Sequence, residues 1–306
     1  MPYVFAYFRQ IYGSRVETDA SGVVDVPLTD RAFARERLHL ATSEDGVRWE
    51  PLGDDLPFLP DVWIRDPYLG RGADGAFHLI GTTREGRHHL VHVRSEDLVR
   101  WEPPTYPQVI DPAEGTHNVW APEFVIDPAT GDHLVYWSAS YGPHGWDDSR
   151  IWSARTIDFE HFSSARLMLD PGFTVIDATI VPDGDAWAMF VKDERFGHLY
   201  GEHRYIQRAT AARIDGPYAL VGEPVTETLC EGPATFRLPD GRTGLAFDRC
   251  MADDYALLAS RDLEHWEAVP EASFPENARH GSVLELDRAE FERLMRAAVE
   301  PAIATA

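Results

Sequence analysis

Short apolar runs rich in β-branched and aromatic residues recur along the chain, and turn residues separate them. Five of these runs predict strands, at residues 3–8, 77–83, 133–138, 186–192 and 243–247. A second run follows each of them, at residues 38–42, 90–94, 151–155, 205–209 and 256–260. Asp-Gly or Gly-Asp pairs precede four runs of the first set, and they suit tight turns because Gly tolerates positive φ. The pattern predicts a five-fold repeat of paired strands.

Two further series follow the same period. One motif ends in an aromatic residue and contains an Asp four or fewer residues earlier; its aromatic ends are Trp49, Trp101, Phe162, Tyr218 and Trp266. The other series lies just before the turns and contains Asp66, Glu123, Asp177, Glu231 and His280, which are 57, 54, 54 and 49 residues apart. A shared period near 50 residues predicts an all-β fold, a five-bladed β-propeller of four-stranded blades.

One blade is predicted to be split between the two ends of the sequence. Residues 282–286 form a strand pattern without a following hairpin, and residues 3–8 have no strand before them. Pairing of these segments would close the ring and remove exposed sheet edges. Apolar residues at helical spacing in 287–299 predict a short C-terminal helix. We expect a single propeller domain over residues 1–306, with residues 13–31 as its long insertion.

The charge balance excludes some classes of partner. The chain has 28 Lys and Arg against 51 Asp and Glu, a formal net charge of −23. Such a charge disfavours nucleic acids and anionic membranes and leaves neutral glycans as compatible ligands. The first residues lack the basic and apolar regions of a signal peptide. We therefore expect a cytoplasmic protein, or a secreted one whose signal has been removed; the oligomeric state stays open.

The two cysteines, Cys230 and Cys250, flank a predicted hairpin. We expect buried free thiols, because a free Cys commonly packs as a small apolar residue. A cross-strand disulfide is the alternative. Neither cysteine belongs to a C-x-x-C motif, so a zinc site of that type is not predicted.

The inner strands of a propeller line its central channel, so the carboxylates of the third series and His280 are expected to meet around one axis. Each could instead cap a strand end or pair with a buried Arg, because unpaired buried charges are costly. Glycosidic cleavage needs one carboxylic acid to protonate the departing oxygen and one carboxylate to activate water. A third carboxylate nearby can raise the pKa of the acid.

Other side chains are candidates for substrate contacts. Trp63 and Trp120 could stack on a sugar ring, or they could belong to the blade core. Lys192 and Arg279 are expected to donate to substrate hydroxyls or to pair with the acidic residues. The aromatic ends Trp49, Trp101 and Trp266 are expected to pack within blades.

The ordered motifs resemble glycoside hydrolase family 43. They are Asp66-Pro67, Trp120-Ala-Pro-Glu123, Ile176-Asp177, Glu231-Gly-Pro233 and His280, and they cover roughly residues 3–295. The segments 65–67, 175–179, 191–194 and 279–282 are similar to the arabinofuranosidase-like branch of that family. The resemblance implies inversion, with Asp66 as general base, Asp177 as the residue that modulates the pKa of the acid, and Glu231 as general acid. It implies no required cofactor, but members commonly hold a calcium ion or a water molecule on the axis near the late histidine, which makes His280 a candidate metal ligand.

These observations predict an exo-acting inverting glycosidase for α-L-arabinofuranosides of plant or microbial glycans. β-Xylosides and galactofuranosides are alternatives within the same chemistry. A non-catalytic carbohydrate-binding propeller is the alternative from another class, and a protein-interaction propeller is a third, because a fold alone does not determine function.

Overall fold

The computed structural model describes residues 1–9, 15–19, 22–26, 36–53, 57–84, 87–112, 115–141, 148–250, 252 and 254–299. The helix and strands of this part of the chain are β1 (Tyr3–Phe8), β2 (Arg15–Asp19), β3 (Gly22–Val26), β4 (His39–Ser43), β5 (Glu50–Pro51), β6 (Arg65–Arg71), β7 (Phe77–Thr82), β8 (Leu90–Ser95), β9 (Trp120–Ile126), β10 (His133–Ala139), β11 (Arg150–Thr156), β12 (Arg166–Leu169), β13 (Val175–Asp183), β14 (Ala186–Asp193), β15 (Ile206–Ala211), β16 (Ala219–Val221), β17 (Cys230–Arg237), β18 (Thr243–Arg249), β19 (Asp254–Ser260), β20 (Glu267–Ala268), β21 (Arg279–Glu285) and α1 (Arg288–Val299).

Five antiparallel sheets form the blades of a propeller, and a separate hairpin joins β2 to β3. The strand orders from the inner edge outward are β21-β1-β4-β5 (blade 1), β6-β7-β8 (blade 2), β9-β10-β11-β12 (blade 3), β13-β14-β15-β16 (blade 4) and β17-β18-β19-β20 (blade 5). The predicted five-bladed fold, the closure of the ring by β21 and β1, and the short C-terminal helix are all confirmed. Within the described residues, no helix has the length and apolar character needed to cross a membrane.

Each blade packs an apolar face against both of its neighbours. In β1, Val4 and Ala6 belong to the cluster shared with blade 2, whereas Tyr3, Phe5 and Tyr7 belong to the cluster shared with blade 5. Successive side chains of a strand point to opposite faces, so a strand buried on both faces must be apolar throughout. This arrangement explains why the strands appear in the sequence as continuous apolar runs.

The repeated Asp motif forms the turn that follows the third strand of a blade. Ser43 Oγ accepts a hydrogen bond from the Gly46 amide at 2.8 Å, and Asp45 Oδ1 accepts one from the Val47 amide at 2.9 Å. Equivalent pairs close the same turn in three other blades: Ser95 with Asp97, Thr156 with Asp158, and Ser260 with Asp262. Side-chain oxygens of this kind replace backbone partners in tight turns.

Blade 2 differs from the predicted four strands. Its outer edge, within the described residues, holds only isolated bridges, which join His89 to Gln108, His92 to Thr105 and Ser95 to Trp101. Pro103, Pro104 and Pro107 lie in that segment, and proline has no amide to donate to a ladder. In the predicted insertion 13–31, strands β2 and β3 are described, and the rest of the segment lies outside the described residues.

A bulge interrupts each inner strand at the same end of the propeller. One extra residue is inserted in each strand, within 66–67 of β6, 121–122 of β9, at 177 of β13, within 232–233 of β17 and within 280–281 of β21. Four bulge residues have positive φ, at 49° for Asp66, 45° for Ala121, 57° for Asp177 and 60° for Gly232. These four positions are 55, 56 and 55 residues apart. Bulges re-aim side chains, and here they direct the residues around them towards the axis.

Replacing Gly281 by Ala is expected to destabilise the propeller strongly. A Cβ atom at this position would collide with the backbone carbonyl oxygen of Ala6, where β21 pairs with β1. We expect a loss of at least about 2 kcal/mol in the free energy of unfolding, measured by urea denaturation with tryptophan fluorescence. In the control Gly244→Ala, the new Cβ would meet only side-chain atoms within 3.3 Å, which can move. Equal losses in the two variants would contradict the role assigned to this close approach.

Candidate active site

The five bulges surround a pocket of about 480 Å³ at one end of the axis. Every inner strand contributes side chains to it. The lining residues are Phe8, Arg65, Asp66, Trp120, Ile176, Asp177, Lys192, Glu194, Arg204, Glu231, Asp248, Cys250, Arg279 and His280. The three predicted catalytic carboxylates therefore line one pocket, although they come from blades 2, 4 and 5.

Asp66 is fixed by a hydroxyl group of its own blade. Thr82 Oγ1, on the neighbouring strand β7, donates to Asp66 Oδ2 at 2.7 Å. Thr82 Oγ1 in turn accepts a hydrogen bond from the Ala121 amide of blade 3 at 2.9 Å. Because Thr82 uses its single proton on Asp66, one carboxylate oxygen is fixed and the other, Oδ1, faces His280.

Asp177 is buried and tied to two neighbouring blades. Its amide donates to Ser138 Oγ of blade 3 at 2.9 Å, and its Oδ2 accepts the Gly232 amide of blade 5 at 3.3 Å. Burial raises the pKa of Asp177 above its ordinary value, and the neighbouring His280 and Lys192 offset this effect only in part. A proline follows the bulge residues Asp66 and Ala121, whereas Ala178 follows Asp177. The bulge and the positive φ of Asp177 therefore form without a proline at the next position.

His280 lies between the two aspartates. Its Nδ1 atom is 3.7 Å from Asp66 Oδ1 and 3.7 Å from Asp177 Oδ2. Calcium prefers six to eight oxygen ligands. Among the described residues, no group of three or more His, Cys, Asp or Glu side chains is arranged to hold a metal ion. The calcium ion stays a prediction, and no step proposed below depends on it.

Glu231 is held by two cations. Lys192 Nζ donates to Glu231 Oε2 at 2.6 Å, and the Arg279 guanidinium donates to Glu231 Oε1. Burial alone would raise the pKa of Glu231, but Lys192 and Arg279 outweigh it and lower the pKa to about 2. The carboxyl group is therefore ionised in the unliganded pocket, contrary to the raised pKa expected of a general acid.

Two more carboxyl groups share these cations. Lys192 Nζ is 2.7 Å from Glu194 Oε2, and Arg279 Nε donates to Asp248 Oδ2 at 3.3 Å. Burial raises the pKa of Glu194 and, more strongly, that of Asp248. The expectation that Lys192 and Arg279 pair with the acidic residues is thus confirmed in detail, with two cations distributed over three carboxyl groups.

The structure does not bring every predicted residue into the pocket. Trp63 donates from Nε1 to Glu36 Oε2 at 2.6 Å and is not among the lining residues. Glu123 is buried two positions beyond the bulge residue Ala121 and accepts the Tyr136 hydroxyl at 2.7 Å. Burial raises the pKa of Glu123 to about 8. The regular spacing of acidic residues in the sequence predicted Glu123 in the pocket, but equivalent positions in the blades are marked by the bulges and not by the acidic residues. Trp120, by contrast, does line the pocket.

Sequence reasoning missed Arg65, Glu194, Arg204, Asp248 and Cys250 as pocket residues. Arg65 and Glu194 lie beside predicted residues in the motifs, so adjacency could have indicated them. Asp248 lies opposite Glu231 in the register of β17 and β18, and this position could not be read from the sequence without that register. Cys230 and Cys250 are free thiols, as expected, but only Cys230 is buried; Cys250 is partly exposed, so the expectation of burial was wrong for it. Burial raises the pKa of Cys250 to about 11, so its thiol is protonated.

Comparison with protein families gives a match over most of the chain. A family model related to glycosyl hydrolase family 43, described as a probable glycosyl hydrolase domain, matches residues 28–292. The chain belongs to this family. The family 43 resemblance of the sequence motifs is therefore confirmed, and the protein is a glycosidase. A comparison with curated proteins gave no match.

Solved structures of other enzymes share the fold of this glycosidase. An α-L-arabinofuranosidase from Lactobacillus brevis has a TM-score of 0.51 and 17% identity over 67% of this chain and 72% of its own. An arabinoxylan arabinofuranohydrolase from Bacillus subtilis has a TM-score of 0.58 and 13% identity, over 90% and 65%. An endo-1,4-β-xylanase from Bacteroides thetaiotaomicron has a TM-score of 0.58 and 14% identity, over 92% and 99%. At these identities the likeness establishes the fold alone.

Glu123→Gln is expected to flatten the pH dependence of stability of this glycosidase. The folded pKa of Glu123, about 8, exceeds the unfolded value of about 4.3. Its contribution to stability is therefore full below the unfolded pKa and is lost as pH rises through the folded pKa. Urea denaturation at pH 5 and pH 8 should show a smaller loss in the variant than in wild type. An exposed control, Glu96→Gln, should follow wild type, and an unchanged pH dependence in Glu123→Gln would contradict the raised pKa.

Proposed function

We propose that this protein hydrolyses terminal α-L-arabinofuranosides of plant or microbial glycans with inversion of configuration. One observation carries the proposal: Asp66, Asp177 and Glu231, from three different blades, line one pocket. Its volume of about 480 Å³ is within the range of roughly 300–1,000 Å³ for small-molecule sites. β-Xylosides and galactofuranosides are the alternative substrates.

Asp66 is proposed as the general base. The Thr82 hydroxyl holds Asp66 Oδ2 at 2.7 Å, which leaves Oδ1 to accept a proton from the attacking water. A base must lie within hydrogen-bond reach of the proton that it removes. Fixing the carboxylate in one orientation before the substrate arrives reduces the entropic cost of the step.

Glu231 is proposed as the general acid that protonates the departing oxygen, and Asp177 as the neighbouring carboxyl group that modulates its pKa. The ionised state of Glu231 in the unliganded pocket requires an additional step. Sugar hydroxyls replace Glu231 as partners of Arg279 and Lys192 when the substrate binds. Loss of these two cationic partners raises the pKa of Glu231, and burial then favours its protonated form.

A non-catalytic carbohydrate-binding propeller is the second candidate, and one observation favours it. Glu231 carries no proton in the unliganded pocket, because Lys192 and Arg279 lower its pKa to about 2. A pocket that binds a glycan and leaves it intact needs no proton donor. This candidate predicts binding of a glycan without release of any sugar.

The substitutions Glu231→Gln and Asp66→Asn should have different effects on different leaving groups. Without its acid, the enzyme should lose at least about 100-fold in kcat on a methyl arabinofuranoside. The loss on the nitrophenyl arabinofuranoside should be much smaller, since nitrophenolate departs without protonation. Asp66→Asn should slow both substrates, because attack of water is needed for each.

The measurements are initial rates on both glycosides and NMR detection of the anomer first released. The exposed substitution Glu96→Gln is the control and should leave both rates unchanged. Release of sugar with the anomeric configuration of the substrate would contradict inversion. A wild-type protein that binds glycans but releases no sugar from arabinofuranosides, xylosides or galactofuranosides would overturn hydrolysis in favour of the second candidate.

The pH profiles of kcat and kcat/KM should differ on their basic sides. The kcat/KM profile reports the free enzyme, whereas kcat reports the substrate complex. Since the protonated form of an acid is lost above its pKa, and the pKa of Glu231 is proposed to rise on binding, the basic limb of kcat should lie at higher pH. Coinciding limbs would contradict the proposed exchange of partners at Arg279 and Lys192.

A further inference from the structure

The loop between β14 and β15, residues 194–204, connects the pocket to an apolar surface. Its two ends, Glu194 and Arg204, both line the pocket. Between them, Phe196, Leu199 and Tyr200 are 52%, 75% and 55% exposed. The other exposed large apolar residues of the described chain are well separated from one another in sequence. Single exposed apolar residues are ordinary, but a cluster beside a pocket indicates a binding surface.

Hydrogen bonds within the loop hold it in a defined shape. The Gly201 amide donates to the Gly197 carbonyl at 2.8 Å, and the His203 amide donates to the Arg195 carbonyl at 3.1 Å. Arg195 bonds to the buried Asp193, with Nη2 2.6 Å from Oδ2, and its guanidinium lies 3.7 Å from the centre of the Phe173 ring. The exposed rings are thus presented on a preformed support, which reduces the entropic cost of binding.

Arg204 joins the apolar surface to the pocket. Its guanidinium carbon lies 4.7 Å from the centre of the Phe196 ring, and its nitrogens donate to both carboxylate oxygens of Glu202, at 2.7 and 2.6 Å. Since Arg204 itself lines the pocket, Phe196 lies next to the pocket wall. A molecule that extends out of the pocket on this side meets Phe196 and then the rest of the exposed cluster.

We propose that loop 194–204 binds the leaving-group side of the substrate, as a neutral saccharide chain lying on Phe196 and Tyr200. This inference rests on the proposed hydrolysis, in which the released sugar occupies the pocket and the remaining glycan must leave through its mouth. Aromatic faces pack against the apolar C–H faces of sugar rings. The net charge of −23 disfavours an acidic polysaccharide. The loop therefore makes the enzyme selective for glycans with a saccharide leaving group.

Tyr200→Ala is the main test, because Tyr200 contacts the rest of the loop through its backbone, whose carbonyl is 2.9 Å from His203 Nε2. The substrates are methyl α-L-arabinofuranoside and a neutral arabino-oligosaccharide with the same terminal sugar. KM for the oligosaccharide should rise about tenfold when Phe196→Ala is combined with Tyr200→Ala, and KM for the methyl glycoside should stay unchanged. Tyr200→Trp keeps an aromatic ring at this position, so its KM for the oligosaccharide should equal that of wild type.

Ile157→Ala is the matched control. Ile157 is 76% exposed and follows the end of β11 that points away from the pocket, so neither KM should change. Equal KM values for the oligosaccharide in wild type and the double variant would overturn the loop proposal and leave hydrolysis intact. An equal rise for both substrates would also overturn it, since the loop would then act on the pocket itself.

Binding separates this proposal from the proposed function. Calorimetry with the Glu231→Gln protein measures affinity for the arabino-oligosaccharide without turnover. If wild type hydrolyses no glycoside but Tyr200→Ala weakens this binding, hydrolysis fails and the loop site stands. If the oligosaccharide does not bind at all, the loop proposal fails, whatever the activity on small glycosides.

Discussion

The side chain at the pocket end of each second strand holds the inner strand of the next blade, and the whole site depends on this contact. Thr82 and Ser138 accept the bulge amides of Ala121 and Asp177. Asp248 accepts the His280 amide in the same way. In the other two junctions the contact is made by side chains: Lys192 with Glu231, and Phe8 with Arg65, whose guanidinium lies 5.5 Å from the ring centre. Each bulge is therefore supported from outside its own blade.

This support explains how backbone strain is tolerated at the site. A non-glycine residue with positive φ is unfavourable unless the surroundings enforce it. Asp66, Ala121 and Asp177 adopt that conformation in their bulges. Pro67 and Pro122 follow two of these residues, and since proline has no backbone amide, no hydrogen-bond donor is left without a partner there. The same geometry turns the side chains around each bulge towards the axis, so fold and site are established together.

The sequence was sufficient to predict the repeat, the blade number, the closure of the ring and the convergence of the acids, because apolar period and turn residues are local signals. It placed Glu123 wrongly among the pocket residues, because the residue types alone do not show where a strand has a bulge. It also did not reveal Asp248, whose position depends on the register of β17 and β18. The low pKa of Glu231 depends on cations from blades 4 and 1, and such distances are set only by the folded ring.

Closure of the ring by β21 and β1 links the order of synthesis to the assembly of the site. β1 leaves the ribosome before the other strands of the propeller, and its inner partner β21 follows about 270 residues later. A nascent chain with four complete blades therefore has an unpaired edge at β1, which can pair wrongly with other chains. Arg279 and His280 arrive on that same last strand, so the polypeptide gains its protected edge and its full set of pocket charges in a single late event.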